Sequence, residues 1–139
     1  MDVRTFRADA ACLGEVQGFV RDIMARAGAA QGVIGRVELV VEEVFVNIAH
    51  YAYKEENVEG EVTVRCFADS DNISLEFIDS GAPFNPIEQE NPDITLGIAE
   101  RKIGGLGIFM MKKIMDTVEY RREDEKNILY MSKAKTGVH

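Results

Sequence analysis

Two polar side chains, Glu43 and Asn47, stand four residues apart in an otherwise apolar stretch. On a helix, residues four apart are neighbours, and at about 100° per residue this pair falls at the border of the apolar stripe. A carboxylate and an amide are costly to bury at the rim of a core unless they have partners, which favours a cleft at that point. The alternative is two solvated side chains on an amphipathic helix.

A second candidate is Asp79, which directly follows a strand-like apolar alternation over residues 73–78. An Asp carboxylate can accept a hydrogen bond from an exocyclic amine. Two residues later, Gly81 has no side chain and lets the backbone come close to a flat ring. The alternative is an ordinary strand-to-turn transition, because Asp, Ser, Gly and Pro are turn residues.

Three glycines, Gly104, Gly105 and Gly107, precede a third helical pattern. The unpaired backbone N–H groups and the dipole of a helix start can form an anion site. This is not a dinucleotide-binding fingerprint, because no strand precedes it and no third Gly lies at the required step. It is not a P-loop either, because no Gly-Lys-Ser/Thr occurs in the chain. The glycines could equally serve a tight turn.

The hydrophobic periodicity predicts the elements that must position these groups. We expect an edge strand over 3–7, a helix capped by Asp9 and ending near Gly28, a helix over about 34–53, a hairpin of 61–67 and 73–78, a helix over 106–115, and a hairpin of 117–121 and 127–133. The stretch from 79 to 104 holds all three prolines, and a loop of that length is usually a functional lid or disordered. Helices interleaved with antiparallel strands predict one sheet with helices on one face.

Composition narrows the classes of function. The chain has 139 residues, the size of one domain, and a net charge of −8, which disfavours nucleic acid and anionic lipid as partners. No apolar run is long enough to span a membrane, and no secretory signal is evident at the N-terminus, so we expect a cytoplasmic location. Cys12 and Cys66 are far apart and without His neighbours, which predicts reduced core thiols rather than a disulfide framework or a zinc site.

Taken in order, these features resemble the Bergerat-fold (GHKL) ATPases, and among them the small serine/threonine kinases that act as bacterial anti-sigma factors. Residues 42–53 match the N box, 79–84 the first Gly box and 105–108 the second. The resemblance implies one histidine-kinase-like ATPase domain over 1–139, with an ordered core of about 3–134 and a lid of about 82–104. It also implies an α+β two-layer sandwich with a mixed, mostly antiparallel sheet and helices on one face.

The resemblance further implies ATP and Mg²⁺ as cofactors, and a role for each motif residue of the helix and the strand end. Asn47 would hold Mg²⁺ against the phosphates, and Glu43 would act as the general base. Asp79 would read the adenine amine, and Gly81 would let the ring approach.

In the second Gly box, the resemblance implies that Gly105 and Gly107, with Leu106 between them, bind the phosphates through backbone N–H groups. Arg101 and Lys102 precede these glycines. They could meet the γ-phosphate or be a solvated basic pair.

The partner that the resemblance implies is an anti-anti-sigma protein with a STAS domain, phosphorylated on a serine. A sigma factor or an equivalent target is the second implied partner, and a homodimer is the implied assembly. Two other functions remain open. The chain could be an ATP-gated, partner-switching module with little or no catalysis, or an α/β domain that binds no nucleotide and carries the three motifs by coincidence.

Overall fold

The computed structural model describes residues 2–53, 60–88 and 105–136. Its strands are β1 (Asp2–Arg7), β2 (Glu61–Ala68), β3 (Asn72–Asp79), β4 (Thr117–Glu123) and β5 (Lys126–Ala134). Its α-helices are α1 (Leu13–Arg26), α2 (Gln31–Asn47) and α3 (Gly105–Ile114). Shorter helical segments are the 3₁₀ turns Ala10–Cys12 and Pro86–Glu88 and a π-helical segment, Ile48–Ala52, that directly continues α2.

The five strands form one sheet in the order β1-β2-β3-β5-β4. Both predicted hairpins are confirmed, since β2 pairs with β3 and β4 with β5. The pairing of β3 with β5 joins the two hairpins and sets Asp79 opposite Asn127. Every pairing in the described part of the chain is antiparallel. The predicted α+β class, with a mostly antiparallel sheet, is confirmed, and no parallel pair occurs among these strands.

The helices cover one face of the sheet because the strands alternate in polarity. On β2, Val62, Val64 and Cys66 are fully buried in the core, whereas the residues between them are only partly buried. The opposite face is polar, and there Glu76 of β3 pairs with Arg65 at 3.1 Å and with Arg121 at 3.4 Å. This two-layer arrangement is the one that the sequence predicts.

The helix ends follow the predicted signals at the first helix and depart from them at the second. Asp9 accepts a hydrogen bond from the Ala11 amide at 2.9 Å, and this cap starts a 3₁₀ turn before α1. Gly28 has a φ of 81°, the left-handed stop expected there. The predicted helix over about 34–53 is present but begins earlier and changes geometry, because α2 starts at Gln31, ends at Asn47 and continues as the wider π segment to Ala52.

The turn between β4 and β5 contains Asp124 and Glu125, with φ values of 52° and 63°. Two central residues with positive φ are typical of the tight hairpin turn whose twist matches that of the strands. This turn brings Asn127 to the start of β5, directly beside the end of β3.

Cys12 and Cys66 are free and buried, as predicted. Burial raises the pKa of the Cys66 thiol to about 12. Among the described helices, none combines the length and the apolar character needed to cross a membrane.

Candidate functional site

A cavity of about 390 Å³ lies where the end of α2, the end of β3 and the start of β5 meet. Pockets of roughly 300–1,000 Å³ are the usual size for small-molecule sites. Three of the predicted site residues, Glu43, Asn47 and Asp79, line this one cavity. Apolar side chains form much of the remaining wall, among them those of Phe77 and Leu129.

Glu43 and Asn47 reach the cavity because they lie on the same face of the last two turns of α2. Burial, and secondarily the charge of Glu42, raises the pKa of the Glu43 carboxyl. Within residues 2–53, 60–88 and 105–136, neither Glu43 nor Asn47 uses its side chain in a hydrogen bond or an ion pair. Both polar groups are therefore available to a ligand.

The π segment after α2 widens the helix just where the cavity begins. Ile48, Tyr51 and Ala52 of this segment line the cavity beside Asn47. Such π turns occur frequently at functional sites. His50, on the same segment, is exposed to solvent and is absent from the residues that line the cavity.

Asp79 is the last residue of β3, and it is only 6% exposed. Its Oδ1 atom accepts hydrogen bonds from the Gly81 amide and from Asn127 Nδ2, both at 2.9 Å. Burial raises the pKa of the Asp79 carboxyl, and these two hydrogen bonds offset part of that effect. Its second oxygen, Oδ2, has no hydrogen-bond donor within the described part of the chain. Asp79 thus offers the cavity a buried acceptor.

Asn127 is a site residue that the sequence reasoning missed. It lines the cavity, is 6% exposed and donates to Asp79. The sequence shows Asn127 only as a polar residue at the start of a strand, after a turn. Only the register of β3 with β5 identifies it, because that register sets Asn127 directly opposite Asp79.

Gly81 makes a close contact that the sequence does not predict. A Cβ added at Gly81 would clash with the Ala52 carbonyl group and lie 2.7 Å from the Ala52 Cβ. The glycine therefore lets the chain just after β3 pack closely against the π segment. It also keeps Asp79 next to the end of α2.

Tyr53 joins the start of β2 to the residue that follows β3. Its hydroxyl accepts a hydrogen bond from the Ser80 amide at 2.8 Å and donates one to the Glu61 carbonyl at 2.6 Å. A Cβ at Gly60 would clash with the Tyr53 ring, so that ring packs against the backbone just before β2. In the sequence, Tyr53 was predicted as the end of the helix and of the N box, with no contact assigned to its hydroxyl.

The second Gly box forms the start of α3. Gly105, Leu106 and Gly107 are its first three residues. The first N–H groups of a helix have no partner within it and lie at the positive end of its dipole. Met111, two turns further along α3, lines the cavity.

The predicted lid is described only at its start. Phe84 lines the cavity and is 41% exposed. The Asn85 side chain accepts a hydrogen bond from the Ile87 amide at 2.9 Å and so fixes the short 3₁₀ turn there. The rest of the lid, over 89–104, lies outside the described residues, and with it lie Arg101 and Lys102.

The polar groups that line the cavity fit the cofactors that the resemblance implies. A buried acceptor between apolar walls suits a flat heterocycle that carries an amine. Where α2 lines the cavity, a single amide oxygen suits Mg²⁺, which keeps most of its waters and takes few protein ligands. Asn47 would supply that oxygen, and the Glu43 carboxylate lies about one helix turn before it.

Comparison with known proteins agrees with this geometry. Residues 6–133 match the family model described as "Histidine kinase-like ATPase domain". The chain is 29% identical to serine-protein kinase RsbW of Listeria monocytogenes serovar 1/2a over 101 residues, which are 70% of this chain and 64% of that protein. It is 27% identical to serine-protein kinase RsbW of Bacillus licheniformis over 112 residues, or 76% and 68% of the two chains. The chain thus spans about 64% of the length of the Listeria relative.

Solved structures of histidine kinases share the fold. The catalytic domain of histidine kinase ThkA aligns with a TM-score of 0.57 at 15% identity, covering 99% of this chain and 100% of that domain. The histidine kinase domain of the Erythrobacter litoralis EL346 blue-light activated histidine kinase aligns with a TM-score of 0.56 at 18% identity, covering 89% and 59%. The GHKL resemblance inferred from the three motifs is confirmed. The chain belongs to the histidine kinase-like ATPase domain family.

Proposed function

We propose that this chain is an ATP-dependent protein serine/threonine kinase of the cytoplasm that acts as an anti-sigma regulatory factor. Its substrate would be a serine of an anti-anti-sigma partner with a STAS domain, and its other partner a sigma factor. By the same analogy it would act as a homodimer. The observation that carries the proposal is that Glu43, Asn47 and Asp79 line one cavity.

Each residue has a distinct task in this proposal. Asp79 accepts a hydrogen bond from the adenine amine, which orients the base. The first N–H groups of α3, at Gly105, Leu106 and Gly107, bind phosphate oxygens. Mg²⁺, held by Asn47, would neutralise charge on the phosphates.

Glu43 is the base in the transfer step. The serine hydroxyl oxygen forms a bond to the γ-phosphorus, the bond from that phosphorus to the β–γ bridging oxygen breaks, and ADP leaves with the electron pair. The serine proton goes to the Glu43 carboxylate. Because burial raises the pKa of this carboxyl, it binds that proton more readily than an exposed Glu does. Positioning and charge neutralisation supply most of the remaining catalysis.

Transfer of labelled phosphate tests the proposal. The chain is incubated with γ-labelled ATP, Mg²⁺ and a STAS-domain protein from the same organism, and label is expected on a serine. Glu43→Ala is expected to slow transfer by at least about 100-fold while ATP affinity, measured by calorimetry, stays the same. Glu38→Ala is the matched control, because Glu38 lies on the same helix but pairs with Arg21 outside the cavity.

Two outcomes would contradict parts of this proposal. Equal transfer by Glu43→Ala removes Glu43 from the role of base. If the wild-type chain binds ATP and changes its affinity for the partner without transferring label, the chain is the ATP-gated binding module rather than a kinase.

A further inference from the structure

The side chain of Asn127 uses all of its hydrogen-bonding capacity at the edge of the cavity. Its Nδ2 donates to Asp79 Oδ1 and to the Ala82 carbonyl, both at 2.9 Å. Its Oδ1 accepts from the Tyr120 hydroxyl at 2.6 Å and from the Phe84 amide at 3.3 Å. An Asn amide has two donor hydrogens and two acceptor sites, so each is matched.

The backbone determines which way this amide faces. The Phe84 N–H can only donate, and the Ala82 carbonyl can only accept. A flipped Asn127 amide would set its oxygen against the Ala82 carbonyl and its NH₂ against the Phe84 N–H. Both hydrogen bonds are partly buried, and a flip would replace them with two repulsive contacts. The NH₂ of Asn127 is therefore held towards Asp79.

We propose that Asn127 is a positioning residue that fixes Asp79 as a hydrogen-bond acceptor and thereby makes the cavity prefer a purine with a 6-amino group over one with a 6-oxo group. The proposal rests on the proposed function, because it assumes that the cavity binds the base of a nucleotide. The donor on Asn127 and the amide of Gly81 occupy one oxygen of Asp79. The other oxygen is left to accept from the 6-amino group.

The electrostatics of the site support this role. Burial raises the pKa of the Asp79 carboxyl, and the hydrogen bond from Asn127 is the largest effect that lowers it again. The Gly81 amide and the charge of Arg122, which donates to the Gly81 carbonyl at 2.8 Å, lower it further. Without that donor, the carboxyl takes up a proton at a higher pH. A protonated carboxyl can donate from its free oxygen, and a donor suits a 6-oxo group instead of a 6-amino group.

The first test compares the affinities of ATP and inosine triphosphate, which carries a 6-oxo group, by titration calorimetry. The wild-type chain is expected to prefer ATP, and Asn127→Leu to reduce that preference by at least about tenfold, the effect of one hydrogen bond to a charged group. In Asn127→Leu the preference for ATP over inosine triphosphate should also depend on pH. It should be lost as the pH falls through the raised pKa of Asp79, because the carboxyl then becomes protonated. Recovery at higher pH separates this positioning role from a loss of packing.

Tyr130→Phe is the matched control for Asn127→Leu. Tyr130 lies on the same strand, faces the other side of the sheet, and makes a hydroxyl contact of 3.3 Å with Ser74 Oγ. Its replacement is expected to leave the ratio of the two affinities unchanged. A thermal melt of each variant confirms that it is folded.

Asp79→Asn is a second, independent test. The two donors that face Asp79 Oδ1, on Gly81 and Asn127, would hold the oxygen of the new amide, so its NH₂ would face the base. The preference is expected to invert in favour of inosine triphosphate. Adding Asn127→Leu removes one of these donors, and the inversion should then be lost.

The outcomes separate this inference from the proposed function. A wild-type chain that binds neither nucleotide overturns both. A wild-type chain that prefers ATP, with the same ratio of affinities in folded Asn127→Leu, overturns the role of Asn127 alone. An ATP preference retained by Asp79→Asn likewise contradicts the fixed direction of hydrogen bonding.

Discussion

The Ala82 amide donates a hydrogen bond to the Ala52 carbonyl over 3.1 Å. This bond joins the residues just after β3 to the π segment after α2. Gly81 lies against the same carbonyl, so the contact leaves no space for a side chain. The distance between Asp79 and the end of α2 therefore depends on this close approach.

Gly81→Ala is expected to destabilise the fold and weaken ATP binding together. The new Cβ would force the end of β3 away from Ala52, and overpacking of this kind costs about 2 kcal/mol. Urea unfolding gives the change in the free energy of unfolding, and calorimetry gives the affinity.

Gly18→Ala is the matched control for this substitution. Gly18 lies within α1, and nothing lies within 4 Å of a Cβ added there. Because Ala has the higher helix propensity, this change is expected to stabilise the fold by about 1 kcal/mol. A Gly81→Ala variant as stable as the wild type would contradict this prediction, because it would show that the π segment moves to accommodate the Cβ with no loss in the free energy of unfolding.

Tyr53→Phe removes a hydroxyl that joins the Ser80 amide to the Glu61 carbonyl. Losing both hydrogen bonds is expected to lower the free energy of unfolding by about 1–2 kcal/mol, as measured by urea unfolding. Tyr130→Phe, which loses one long contact to Ser74 Oγ, should cost less. Equal losses in the two variants would show that the Tyr53 bridge adds nothing specific to the edge of the site.

Glu43→Gln is expected to change how stability depends on pH. The pKa of Glu43 is higher in the folded chain than its ordinary value, so between the two values the folded state binds more protons. The free energy of unfolding that Glu43 contributes therefore falls as the pH rises through this window. The variant should be more stable than the wild type above the folded pKa and equal to it below the ordinary value. Urea unfolding at several pH values measures this, and parallel profiles would contradict it.

Lys133 and Asp116 should respond differently to substitution, although they form one ion pair. The Lys133 side chain is 2% exposed, its Nζ lies 3.8 Å from Asp116 Oδ1, and the other Asp116 oxygen accepts from the Ala134 amide at 2.7 Å. Asp116→Ala leaves a buried ammonium unpaired and is expected to cost about 3 kcal/mol. Lys133→Met removes the buried charge and is expected to cost less than about 1 kcal/mol.

The double variant Asp116→Ala/Lys133→Met distinguishes these effects by urea unfolding. It should be more stable than Asp116→Ala alone, because no unpaired charge remains. A double variant that shows the summed cost of the two single changes would mean that the pair is not coupled.

Sequence patterns predict the elements of the fold well wherever one face of an element is buried. The spacing of Val37, Val41 and Val44 on α2 predicts a helix, and these residues are buried in the core. The change from α to π geometry after Asn47 could not be predicted, because five residues are too few to distinguish the two periods. The close contact at Gly81 likewise could not be predicted, because it is made with Ala52, which is distant in the sequence.

Site residues could be predicted where a motif is local and not where the contact is between distant segments. Glu43 and Asn47 are four apart on one helix, and Asp79 closes a strand, so each was visible alone. Asn127 became a candidate only through the pairing of β3 with β5. Neither composition nor periodicity contains that register, which arises when two separate hairpins join into one sheet.

The cavity draws its walls from α2, β3 and β5, which come together only in the native chain. Any small molecule that fills it must shift the melting temperature upward by mass action, by an amount equivalent to about 2.7 kcal/mol at a concentration of 100 times its Kd. The melting temperature of the protein alone can therefore report binding in a fragment screen, without a labelled substrate or a known partner. Hits whose thermal shift disappears in Asn127→Leu would bind at the buried end of the pocket.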